Sequence, residues 1–169
     1  MFVHALLTLA LAATVIPQTP EQLTDRSTTV VRARVVSQRA AREPGPAGIY
    51  TRTTLRVEAA LKGKAPATLV VRQAGGRLGS ERVRLLGDAA LKEGEEVLVF
   101  LTCRPGADHC ALVGLAQGAF ELIPDGAGGR LARRDFRDTT FVKGAPLTGQ
   151  AQPYAALAEK IRAHVKAHP

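Results

Sequence analysis

The sequence predicts an all-β domain: a closed or partly open barrel of about six to eight short strands, carrying one C-terminal amphipathic helix. Three observations lead there. Most of the chain is written in short segments whose apolar residues recur every second position, the period of a half-buried strand. Those segments are separated by Gly- and Pro-rich breaks, which supply turns. Only the last segment repeats its apolar residues at three-to-four spacing, the period of a helix. Many short strands leave many edges, and closure into a barrel removes them; a two-sheet sandwich is the alternative.

The chain opens on an apolar run, Phe2 to Ala13, that contains Ala10-Leu11-Ala12, the small-x-small form of a secretory cleavage site. Residues 1–16 therefore read as a leader, although its first residues include no Lys or Arg. The run stops at Pro17, short of the ~20 apolar residues that a membrane-spanning helix needs, and no later segment is long and apolar enough to span. A Pro-containing spacer, residues 17–25, leads to the barrel, residues 26–136. Thr28 to Gln38 alternates with Val31, Ala33 and Val35 on one face and Arg32 and Arg34 on the other. After the break Glu43 to Gly48, Ile49 to Leu61 resumes the alternation with Leu55, Val57 and Ala59 inward and Arg52, Arg56 and Glu58 outward. Thr68 to Gln73 places Arg72 opposite Leu69 and Val71, and Gly75-Gly76 reads as its end. Arg82 to Leu86 is a further short strand that carries Arg82 and Arg84. Glu96 to Thr102 is unbroken in its apolar character, as expected of a strand buried on both faces. Cys110 to Leu115, Gly118 to Ile123 and Arg130 to Phe136 follow, then a loop over residues 137–152. The helix spans 153–167, with Pro153 at its first position and an expected place across an opening or edge of the sheet.

The 169 residues, 46% of them hydrophobic, suffice for one domain with its own core. Cys103 and Cys110, the two cysteines, stand where one apolar strand ends and another begins. A disulfide there would staple a hairpin and add roughly 2 kcal/mol; the rival, a metal held by Cys103, His109 and Cys110, needs a fourth ligand and a reducing compartment. With a leader, the pair points to a secreted or periplasmic protein. The formal net charge is +8, and 17 of the 23 basic residues are Arg, a balance suited to polyanions.

The segments Val30 to Val36, Thr54 to Glu58 leading to Ala60-Leu61-Lys62-Gly63, Leu69 to Arg72, Gly94 to Leu101 and Val113 to Phe120, in that order and spacing, resemble uncharacterised secreted bacterial proteins. Beyond them they resemble the netrin-like modules that include the tissue inhibitors of metalloproteinases. The resemblance covers roughly Leu23 to Ile123. It implies an OB-like barrel and a non-catalytic role. The inhibitors chelate their target's zinc through an N-terminal cysteine, whereas here the cysteines are Cys103 and Cys110, so that mechanism does not transfer.

Residue by residue, the chain offers no catalytic constellation. Ser80 lacks the strained Gly-x-Ser-x-Gly setting, and Ser27 and Ser37 read as turn and strand residues. His164 and His168 are one helical turn apart at a fraying end. Gly75-Gly76-Arg77-Leu78-Gly79 is followed by a strand and so lacks the helix N-terminus of a phosphate cradle. Glu93, Glu95 and Glu96 read as turn and solubility residues. The remaining candidate is the Arg face: Arg32, Arg34, Arg52, Arg56, Arg72, Arg82 and Arg84. Guanidinium groups hold sulfate, phosphate and carboxylate in bidentate fashion, so this face would take an anionic polysaccharide or an acidic protein; the alternative is a solvated strand face whose charge is partly balanced by Glu58. The 4% aromatic content argues against single-stranded nucleic acid, which is bound by stacking. The expectation is a monomeric, exported, non-enzymatic binding module that needs no cofactor or metal. A protein-interaction or protease-regulating domain acting through loops is the alternative, and a hydrolase the third reading.

Overall fold

The computed structural model describes residues 13–142 and 147–169. The leader reading rests mostly on residues 1–12, which lie outside the described residues. In chain order the elements are β1 (Ala13–Val15), α1 (Pro20–Arg26), β2 (Thr29–Arg42), β3 (Ile49–Lys62), β4 (Thr68–Leu78), β5 (Glu81–Arg84), β6 (Glu96–Cys103), β7 (Cys110–Leu112), a 3₁₀ turn over Leu115–Gly118, β8 (Ala119–Pro124), β9 (Arg130–Arg133), β10 (Thr139–Phe141), β11 (Gln152–Pro153) and α2 (Tyr154–Ala167).

Five strands close into a barrel in the order β2-β3-β4-β7-β6 and back to β2. All neighbours are antiparallel except β4 and β7, which run parallel. Strand β6 also pairs with β8 through its first half, and β9 and β11 extend the sheet from there. At the other end β5 pairs with β4. β1 and β10 form a separate parallel pair.

Two apolar layers hold this arrangement. The barrel interior is filled by Val31, Ala33 and Val35 from β2, Leu55 from β3, Leu69 and Val71 from β4, and Val97, Val99 and Leu101 from β6. Outside β6, a second layer joins Leu98, Phe100, Phe120 and Leu122 to Leu23 of α1 and Leu157, Ala158 and Ile161 of α2. Strand β6 is thus apolar in unbroken sequence because alternate residues enter different cores. The helix α2 lies against the outer side of the sheet rather than across the barrel opening.

Three segments depart from the sequence reading for local reasons. The stretch read as a spacer contains α1, started by a capping box: Gln22 N donates to Thr19 Oγ1 and Thr19 N to Gln22 Oε1. Strand β4 does not end at Gly75-Gly76 but continues through them to Leu78. Gly75 has a φ of +96° and lies so close to Val83 O that a Cβ would stand 2.7 Å from it; glycine is what lets β5 approach. The stretch 137–152 contains β10 and β11.

The cysteines are joined, with Cα atoms 4.3 Å apart, across register partners of the β6–β7 hairpin. Their sulfurs are therefore committed to each other and not to a metal. For a loop this short, removing the bridge in a Cys103→Ser/Cys110→Ser variant is expected to cost about 2 kcal/mol. In a chain of this size that is a fall in Tm of roughly 4–8 °C, read by thermal unfolding with and without reductant; an unchanged Tm would mean that the β4–β7 pairing closes the barrel unaided.

Candidate functional site

The seven arginines singled out in the sequence fall into two groups. Arg32, Arg34, Arg52, Arg56 and Arg72 share the outer face of β2, β3 and β4, as alternation requires, and the antiparallel register stacks them in rows. Arg39, Arg52 and Arg72 are cross-strand partners in one row. Glu96, Arg34, Arg56 and Thr68 form the other. Arg82 and Arg84 are not part of this face; they line a cleft at one end of the barrel. The face of seven arginines read from the sequence is therefore a patch of six, in which Arg39 joins and Arg82 and Arg84 leave.

Like charges directly opposite one another in a ladder repel, and the chain interleaves carboxylates where that repulsion would be greatest. The β2–β3 loop folds back so that Glu43 sits between Arg52 and Arg72. Arg52 Nε donates to Glu43 Oε1 at 2.6 Å, and Arg72 Nε to Glu43 Oε2 at 2.6 Å. These two guanidinium groups, Arg52 first, hold the Glu43 carboxyl down to about 2. Arg72 also stacks on the Tyr50 ring, its Cζ 3.4 Å from the centroid. Gly45, with a φ of +137°, packs against the Tyr50 hydroxyl where no Cβ would fit. Arg52 reaches on to Asp108 Oδ2 at 2.7 Å, so one guanidinium ties the β2–β3 loop to the disulfide-closed β6–β7 loop. His109 and Arg52 together hold the Asp108 carboxyl down to about 2.

Arg32 and Arg34 are engaged at the other row. Both reach Glu58, at 3.4 and 3.6 Å, and both reach Glu96, each at 3.6 Å. Arg130 Nε donates to Glu96 Oε2 at 3.0 Å. Glu96 is only 7% exposed, so it is a caged counter-ion and not a solubility residue as its acidic neighbours suggested. Glu93 and Glu95 are turn residues: Glu93 accepts from Gln38 N at 2.7 Å and Glu95 pairs with Lys92 at 3.2 Å. Arg39 and Arg56 are exposed and have no carboxylate partner among the described residues. They are the cations of this face left to an external anion.

The clamp on Glu43 gives a prediction with a sign. Its folded carboxyl lies below the ordinary value of 4.5, so the stability it contributes is fully present above that value and is lost as the pH falls from about 4.5 towards about 2. Glu43→Gln is expected to cost roughly 1–3 kcal/mol at neutral pH and to flatten the acid limb of a stability-against-pH curve measured by denaturant unfolding. An acid limb identical to that of the unsubstituted chain would show that the loop is held by its backbone alone.

The cleft lies between β4 and β5 on one side and the segments 85–90 and 135–139 on the other, and encloses about 540 Å³. Gln38, Thr51 and Gln73 line it together with Arg77, Arg82, Arg84 and Arg137. Arg84 is bound to Asp138, and Arg137 Nη2 to Asp135 at 2.5 Å. Asp88 is also in the lining; burial pushes its carboxyl up, which disfavours its charged form.

Two of the residues weighed in the sequence hold elements of the fold together. Ser27 is buried and donates to Leu23 O at 2.7 Å, closing α1. His164 Nε2 meets Asp25 Oδ1 at 2.6 Å, which ties α2 to α1. No helix among the described residues is long and apolar enough to cross a membrane. Set against known proteins, the chain matches no family model and no curated protein sequence.

Proposed function

We propose that this chain is an exported, monomeric, non-enzymatic binding module that holds an anionic polysaccharide on the outer face of β2, β3 and β4. The observation that carries the proposal is the pair of cross-strand arginine rows, with Arg39 and Arg56 exposed and unpaired among the described residues. A face with fixed guanidinium groups beside free ones suits a ligand of repeated sulfate or carboxylate groups. The barrel order supports an OB-like reading: numbered along the barrel the strands run 1-2-3-5-4 and back to 1, with the third and fifth parallel. OB barrels bind oligosaccharides and oligonucleotides on the face of their second and third strands and on the loops beside it. Those correspond here to β3 and β4, the β2–β3 loop and the β6–β7 loop. The joined cysteines support an oxidising compartment.

The netrin-like alternative, a protein-interaction domain working through its loops, draws support from one contact. Arg52 joins Glu43 and Asp108, so the two loops form a single rim.

The test is retention on heparin across a salt gradient, comparing the unsubstituted chain with Arg39→Glu/Arg56→Glu. Binding that is strongly salt-dependent and weakened in the variant supports the face. Equal retention of both proteins would remove it from consideration.

A further inference from the structure

We propose that the cleft at the barrel end is a second, separate binding site, for a small ligand that carries two or more oxyanion groups. Arg77 and Arg82 are direct cross-strand partners, and both line the cleft. Two like charges placed opposite each other destabilise a strand pair. Elsewhere in this chain such a pair is relieved by an internal carboxylate: Glu43 lies between Arg52 and Arg72. No carboxylate among the described residues pairs with Arg77 or Arg82; Arg77 Nε donates only to Gly79 O, at 3.3 Å. An oxyanion entering the cleft would relieve the repulsion and accept from both guanidinium groups.

The opposite wall offers a second positive group. Arg137 is exposed and anchored by Asp135, so its guanidinium is placed in advance with donors to spare. That wall also carries Asp88, Asp135 and Asp138, the last two paired with Arg137 and Arg84, so the cations open to a ligand are Arg77 and Arg82 on one side and the spare donors of Arg137 on the other, a spacing that favours separated anionic groups over a single ion. The volume of about 540 Å³ lies within the range of roughly 300–1,000 Å³ usual for small-molecule sites. Gln38, Thr51 and Gln73 line the same cleft, but their side chains already donate to Thr53 Oγ1, Gly75 O and Ala89 O, so they shape the wall and the oxyanions fall to the guanidinium groups. No aromatic ring is among the described residues of the lining, which disfavours a nucleobase. Unlike a glycine-rich phosphate loop, this site acts through guanidinium groups; of its glycines, Gly75 lets β5 approach β4, and Gly76 makes room for Thr51 and Ala40 of the neighbouring strands.

The test is calorimetric titration of the full chain with two probes, inorganic tripolyphosphate and citrate, which separate phosphoryl from carboxylate recognition. It compares the unsubstituted chain, Arg77→Gln/Arg82→Gln and Arg39→Glu/Arg56→Glu, each checked for its fold by circular dichroism. Because Arg77 and Arg82 are exposed, the glutamine variant is expected to fold. The proposal expects one-to-one binding of at least one probe, an affinity roughly tenfold or more weaker in Arg77→Gln/Arg82→Gln, and no change in Arg39→Glu/Arg56→Glu. It is overturned if neither probe binds, or if Arg77→Gln/Arg82→Gln binds as tightly as the unsubstituted chain. It is equally overturned if only Arg39→Glu/Arg56→Glu loses the probe, which would place the anion on the outer face instead.

Discussion

Truncating Phe100 to Ala is expected to cost about 3–5 kcal/mol, the upper range for a single core substitution. Phe100 is fully buried in the layer between the barrel and the helices. Its ring lies 6.1 Å from that of Phe120 at 46°, an aromatic contact that adds to the burial itself. The residues around it come from β2, β3, β6, β8, β9, α1 and α2, and those on the strands are held in place by their ladders. The cavity would therefore stay largely open, which is what makes such substitutions costly. Denaturant unfolding gives the measurement, with the midpoint shifted and the slope retained. Hydrogen exchange should show α2 loosening first, since Leu157, Ala158 and Ile161 attach it to this layer. A loss below about 1 kcal/mol would mean that the layer collapses around the gap, and that the helices contribute little to holding the sheet.

Reversing the two free cations of the outer face is expected to have the largest effect on binding. Each basic residue that pairs with a polyanion releases condensed counterions, so removing two lowers the slope of log affinity against log salt by about two. Replacing Arg39 and Arg56 by Glu also adds repulsion, and together these weaken heparin binding roughly 10- to 100-fold near physiological salt. The comparison that excludes a simple effect of net charge is Arg162→Glu/Lys166→Glu. It changes the total charge by the same amount at exposed positions of α2. That variant is expected to lose little affinity and to keep its salt slope. Arg52 and Arg72 are poor choices for the experiment because each is bonded to Glu43, so their removal would also release the β2–β3 loop.

Alternation made most of the barrel legible in the sequence. Val31, Ala33 and Val35 enter the interior together because β2 keeps its own alternation there: the register shift between Arg32 and Ala33 is taken up by β3, and the pairing with β6 from Thr29 to Arg34 has none. The double burial of β6 was readable from its unbroken apolar run, and α2 from its spacing. Arg39 was hidden by one residue. A register shift between Val35 and Ser37 inserts Val36 into β2 as a bulge, and beyond it the odd-numbered positions change face. The strand read from the sequence stops at Gln38, and carrying its alternation one residue on would turn Arg39 inward, whereas it is the cross-strand partner of Arg52. Glu96 was misread because its local context, Glu93 to Glu96, is that of a solvated turn; its cage is assembled from β2 and β9, far away in the chain. Arg82 and Arg84 were misplaced because Gly75-Gly76 looked like an ending. The helix α1 did leave a sign in Thr19-Pro20-Glu21-Gln22, whose first and last residues form the capping box.

The measurement that tests the account most directly is the mapping of a heparin-derived oligosaccharide onto the isotope-labelled chain by backbone amide shift changes. The account predicts shifts centred on the outer face, at Arg39, Ser37, Thr54, Arg56 and Val70, fading as salt is raised. Shifts confined to the β2–β3 and β6–β7 loops would favour the loop-mediated reading, and an absence of shifts on the face at low salt would contradict the claim that its arginines bind an anionic polymer.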